Sequence, residues 1–172
     1  MATAPRAWWS LDDRDPTHSL RLAGSGPMTD SDVVVAAQQL ETFIAGEQGR
    51  VALPVSVALH AEGRGFGDKG AAAILHELLL LHEQRMIVVR ELFFYKLRLS
   101  DAVCAPLAEL IVAHKGAIDA VHLSHNAITA AGAKLLCERV APMYPIQNPD
   151  GETFAPLWLR LEHNKIDPAL MQ

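Results

Sequence analysis

Only two cysteines, Cys104 and Cys137, occur in the 172 residues of the chain. They lie in no CxxC arrangement, and two are too few for a disulfide scaffold. They read as reduced thiols of an intracellular chain, cytoplasmic or nuclear. Aromatic residues make up only 6% of the sequence, so aliphatic side chains must build the core. Positive charge is not in excess either. The formal net charge is -5, which excludes a generally basic nucleic-acid binder but leaves room for a local basic patch. Nor is there a long apolar run. The most apolar stretch, AAAILHELLLLHEQRM, is cut by His76, Glu77, His82 and Glu83 and cannot span a membrane. The opening MATAPRAWWSLDDRD has no uninterrupted apolar segment of the kind a secretory signal needs.

Chemical motifs are equally sparse. His76 and His82 are six residues apart, about 240° around a helix, where a zinc-binding helix needs two histidines one turn apart. The stretch GRGFGDKG lacks the Lys-Ser/Thr step of a phosphate-binding loop, because Lys69 precedes Gly70 and no hydroxyl residue follows. No Ser/His/Asp set, Cys/His set or carboxylate pair has a spacing that indicates catalysis. The expectation is therefore a non-enzymatic chain with no metal and no cofactor.

What is present is periodic order. The length suits one domain. Residues 1–30 carry Pro, Gly, Ser and Asp with little periodicity and read as a flexible arm. Trp8-Trp9 stands out there, either folding back onto the domain or offering a short motif to a partner. A capping helix is expected over residues 31–50. Asp30 or Ser31 would cap it, Val34, Ala37, Leu40 and Ile44 would follow its apolar spacing, and Gly46 would end it.

From there a pattern recurs. Ile118, Val121, Leu123, Asn126 and Ile128 define it. Twenty-nine residues earlier, Val89, Leu92, Phe94, Leu97 and Leu99 fill the same positions, with Leu in place of Asn. Later, Leu159, Leu161, Asn164 and Ile166 fill it again, with 38 residues between Val121 and Leu159. Val57, Leu59 and Phe66 match if the loop HAEGRG carries two extra residues. A helix-like segment follows three of these sets: GAAAILHELLLL, AVCAPLAELIVA and AAGAKLLCERVA. The physical logic is direct. A short strand sends alternate side chains inward. The chain then turns, and a buried Asn satisfies the backbone groups that the turn exposes. The helix covers the strand, and each unit buries its apolar face on the next.

This spacing, with its Asn and its GA-opened helix, resembles leucine-rich repeats of the ribonuclease-inhibitor-like class over roughly residues 55–172. The resemblance implies an α/β solenoid, a short horseshoe of about four repeats. A parallel sheet would lie on the concave face and helices on the convex face, within a domain over residues 31–172. Asn126 and Asn164 would form a structural ladder. A Pro-rich insert, residues 142–157, interrupts the array, and Tyr144 and Phe154 are expected to tuck beneath it. The array stops without a complete final helix, which suggests part of a larger protein or an end covered by another subunit.

The register also predicts which side chains face outward on the sheet. One row is Ala58, Phe93, His122 and Arg160. The next is His60, Tyr95, Ser124 and Glu162, edged by Lys96, His125 and His163. Phe93, Tyr95 and Trp158 would be large aromatics on an open surface. Aromatics beside Arg160 suit a protein-binding hot spot, so Phe93, Tyr95, His122, Trp158, Arg160, Glu162, Lys96 and His125 are the expected partner-binding residues. The same aromatics could stack on single-stranded RNA. However, residues 87–172 hold eight Lys/Arg against nine Asp/Glu, so a protein partner is the first choice. The run from YPIQNPDGETFAP into LWLRLEHN is similar to leucine-rich-repeat modules that precede RNA-processing domains, which makes an RNA-associated regulatory module the alternative. A homodimer through the uncapped C-terminal end is a further expectation.

Overall fold

The computed structural model describes residues 8–12, 17–23, 26–47, 49–147, 154–167 and 169. Among the described residues the chain is an α/β protein built on a six-stranded, mostly parallel sheet with five helices. It opens with strands β1 (Trp9–Asp12) and β2 (His18–Leu22), followed by helices α1 (Asp30–Gln38) and α2 (Leu40–Gly46). Strand and helix then alternate: β3 (Val55–His60), α3 (Asp68–Glu83), β4 (Ile87–Phe93), α4 (Cys104–Ala113), β5 (Ala120–His122) and α5 (Ala130–Val140). A two-stranded hairpin, β6 (Ile146–Gln147) with β7 (Phe154–Ala155), precedes the last strand, β8 (Trp158–Arg160). The sheet order is β1-β2-β3-β4-β5-β8. Only β1 runs antiparallel to its neighbour.

Residues 9–12 and 18–22, expected within a flexible arm, are therefore part of the sheet. Leu20 and Leu22 are fully buried, and Trp9 is buried with them. Its indole Nε1–H donates to the Ala36 carbonyl of α1 at 2.7 Å. This is the fold-back alternative for the Trp8-Trp9 pair. The surrounding Pro, Gly and Asp hid a strand of alternating residues, HSLRL, that pairs parallel with β3. The expected capping helix is two short helices that break at Gln39. Its cap is neither Asp30 nor Ser31 but Thr29, in a capping box with Asp32. The buried stripe includes Val33 rather than Val34.

The register simplifies the repeat. Leu59 pairs with Leu92, Leu92 with Val121, and Val121 with Leu159. Leu59 and Ala61, rather than Val57 and Leu59, thus occupy the positions of Val121 and Leu123. Seven residues then separate Leu59 from Phe66, Leu92 from Leu99, Val121 from Ile128 and Leu159 from Ile166. The loop HAEGRG needs no insertion. Within this pairing a register shift lies between Val57 and Ala58, where β4 takes one more residue than β3.

Two ladders of polar side chains tie the units together. Asn126 Oδ1 accepts from the Leu97 and Leu99 N–H groups at 3.2 Å each, while its amide donates to Phe94 and Leu123 carbonyls. Asn164 repeats the arrangement, accepting from Ile128 N–H and donating to Leu123 and Leu161 carbonyls. The second ladder uses aspartate. Asp30 Oδ1 accepts from Gly67 and Gly70 N–H, Asp68 holds the Ser100 N–H and hydroxyl, and Asp101 holds the Thr129 N–H and hydroxyl. Each carboxylate sits in the first turn of one unit's helical segment and fastens the start of the next.

Candidate functional site

The sheet buries one face against the helices and leaves the other open. On the covered face Leu59, Leu92, Val121 and Leu123 are buried. The open face carries the intervening side chains, which the register sets in rows. One row runs Arg21, His60, Phe93, His122, Arg160. His60 therefore replaces the expected Ala58, which lies one row down beside Glu91, Ala120 and Trp158. By the same shift Glu62, not His60, heads the row of Tyr95, Ser124 and Glu162. Gly63, Lys96, His125 and His163 follow as the edge, and all four have positive φ, from 54° to 70°. At every unit the chain turns through the left-handed region at this point, which only Gly adopts without cost.

The rows are filled with stacked rings. His60 stacks on Phe93 with centroids 4.5 Å apart, and Phe93 meets His122 edge-on at 6.3 Å. Tyr95 stacks on His122 at 4.4 Å, and His125 on His163 at 4.2 Å. Phe93 and Tyr95 are consequently half-buried between neighbours, not open as expected. Trp158 is the exception at 59% exposure, with the Arg160 guanidinium 5.3 Å from its ring centre. Lys96, His125 and Glu162 are exposed, His122 and Arg160 are half-buried, and Ser124 is buried. The expected partner-binding residues are thus brought onto one continuous face.

Polar contacts orient this face. Arg160 Nε donates to Glu162 Oε1 at 2.7 Å, and the His122 Nε2 to Ser124 Oγ contact is 2.7 Å. Burial, followed by the Arg160 charge, lowers the His122 pKa, so the ring is neutral near pH 7. At the other end His60 Nδ1 lies 3.4 Å from Glu62 Oε1. Burial alone would raise the Glu62 carboxyl. The His60 hydrogen bond, a backbone hydrogen bond and the charges of His60 and Arg21 together hold it below the ordinary carboxylate range. Burial and the Glu62 charge push the Tyr95 phenol upward. Sequence reasoning missed Arg21, His60 as a member of the Phe93 row, and Glu62. The alternation of HSLRL was the available signal for Arg21.

Other motifs find structural uses. In the loop Gly63–Gly70 the Asp30 carboxylate already accepts from the Gly67 and Gly70 N–H groups. His76 is exposed, while His82 stacks on His114 at 3.8 Å, a pairing no spacing within one helix could reveal. Among the described residues no three His, Cys, Asp or Glu side chains converge as metal ligands. None of their helices is long and apolar enough to cross a membrane. Cys104 and Cys137 are free thiols. The Tyr144 hydroxyl donates to the Ile118 carbonyl at 2.7 Å. The Phe154 side chain and residues 148–153 lie outside the described set. No protein-family model matches the chain, and no curated protein matches its sequence.

Proposed function

We propose that the chain is a leucine-rich-repeat solenoid of the ribonuclease-inhibitor-like class and a non-enzymatic module that binds a protein through its concave sheet face. Supporting the repeat assignment are the seven-residue spacing from inner strand residue to loop anchor and the Asn126 and Asn164 ladder. Fold alone does not name a function, so the face must carry the argument. The observation that carries it is the row Arg21, His60, Phe93, His122, Arg160, five side chains from five adjacent strands. Ring stacking holds its centre rigid, which lowers the entropy cost of binding, and Arg160 at its end and Trp158 in the adjoining row are hot-spot residue types.

RNA binding is the weaker reading. One face of Phe93 is taken by His60 and one face of Tyr95 by His122, which reduces the open ring for base stacking. The test is affinity capture with the wild type beside a Phe93→Ala/Tyr95→Ala variant, each with and without ribonuclease. Circular dichroism first establishes that the variant folds. A partner lost with the variant and indifferent to ribonuclease is the expected result. A set released by ribonuclease, and lost with Arg160→Ala, would replace this reading with the RNA-associated one.

A further inference from the structure

Strand β8 is an edge of the sheet among the described residues, and its inner side chains are only partly covered. Leu159, Leu161 and Ile166 hold the positions of Val121, Leu123 and Ile128. Those three are fully buried, whereas the β8 counterparts are half-buried. The backbone is open on the same side. Trp158 N–H donates to Asp119 and Arg160 C=O accepts from Leu123, both at 2.9 Å, so the groups of 158 and 160 face β5. Alternation then turns the Leu159 N–H and C=O outward. Leu157–Leu161 contains no Pro and no charge on its inner face, the usual devices that protect an edge.

The segment is also complementary to itself. Antiparallel pairing about Leu159 sets each residue opposite its mirror position. Leu157 meets Leu161 of a second copy on the covered face, and Leu159 meets its own equivalent. On the open face Trp158 meets Arg160 of the second copy, a cation over an aromatic ring. Within one chain Arg160 already lies 5.3 Å from the Trp158 ring centre, so the ring is placed to accept guanidinium. A two-fold axis closes such a contact after two copies and leaves no further edge at β8.

We propose that two copies of the chain associate through β8, antiparallel about Leu159, to join their sheets into one. Arg160 belongs both to this contact and to the end of the row centred on Phe93, but the association does not depend on the function proposed for that row. The test is sedimentation of the full 172-residue chain over a concentration series. Trp158→Arg places Arg opposite Arg in the pair and should weaken the dimer at least about tenfold. Trp158→Arg/Arg160→Trp restores ring against guanidinium and should recover it, which a merely misfolded single variant could not explain. Oxidation of a Leu159→Cys variant should link residue 159 to residue 159, read by peptide mapping. A wild-type chain that stays monomeric at its highest soluble concentration would overturn the proposal. So would a dimer indifferent to Trp158→Arg, or cross-links that map elsewhere.

Discussion

Asp101 grips Thr129 with both carboxylate oxygens: Oδ1 accepts from the Thr129 N–H at 2.7 Å and Oδ2 from its hydroxyl at 2.6 Å. The carboxylate lies where a side chain at Gly132 would go. A Cβ built on Gly132 would stand 2.3 Å from Asp101 Oδ1. Gly132 is therefore the room that the aspartate ladder needs, rather than a flexible joint. At Gly70 the contact is looser, with Asp30 Oδ1 at 3.0 Å. Gly132→Ala should cost about 1–3 kcal/mol through forced displacement of Asp101, more than Gly70→Ala. Urea unfolding of the two variants checks the order, and equal losses would show that the carboxylate is not the obstacle.

Asn126 serves two backbone N–H groups and the Phe94, Leu123 and Ser124 carbonyls. Asn126→Leu keeps the volume and removes every partner. With the Leu97 and Leu99 N–H groups left without an acceptor, the loss should be about 3 kcal/mol or more. Asn164→Leu, at the edge of the sheet, strips one N–H and two carbonyls where water has access, and should cost less. Denaturant midpoints at equal m-values test this ranking.

His114 is 3% exposed, donates Nδ1–H to the Leu110 carbonyl at 2.8 Å, and has no partner at Nε2 among the described residues. Burial is the main cause of its lowered pKa, about 4; the Leu110 bond opposes the shift and the His82 charge adds to it. The unfolded chain therefore takes up this proton more readily than the folded one. Stability from His114 is full above about pH 6.5 and falls as pH drops toward 4, by about 1.4 kcal/mol per pH unit at most. His114→Gln should flatten the stability profile over that interval. A variant profile parallel to the wild type would refute the assignment.

Trp9 bridges the first hairpin to α1 through its indole bond to Ala36. Trp9→Ala should remove about 3–5 kcal/mol, and amide exchange should quicken in β1, β2 and α1 together. If exchange changes in β1 alone, the hairpin is an appendage and not an integral edge of the core.

The legible part of the fold was its alternation. Inner residues such as Leu92, Phe94, Val121 and Leu123 repeat at period two before each helix, and Asn126 and Asn164 mark turns whose backbone needs a partner. The aspartates were legible too, as Thr29-Asp30, Gly67-Asp68 and Ser100-Asp101 at successive helix starts. Their role was hidden because each bonds to the following unit, not to its own helix. Strand β2 was missed because its flanks are rich in turn-forming residues, and its five-residue alternation gains stability only by pairing with β1 and β3.

The candidate face divides in the same way. Local sequence determined which side chains leave the sheet on its open side, since alternation is a property of each strand alone. It also determined the turn at Lys96, His125 and His163, where each unit reverses. Tertiary structure decided which side chains meet across strands. The pairing of β3 with β4 put His60, rather than Ala58, against Phe93, because lateral register depends on how two distant segments pair. It also decided that Phe93 and Tyr95 each stack on a neighbouring ring while Trp158 is open, since exposure is set by neighbours contributed from other strands.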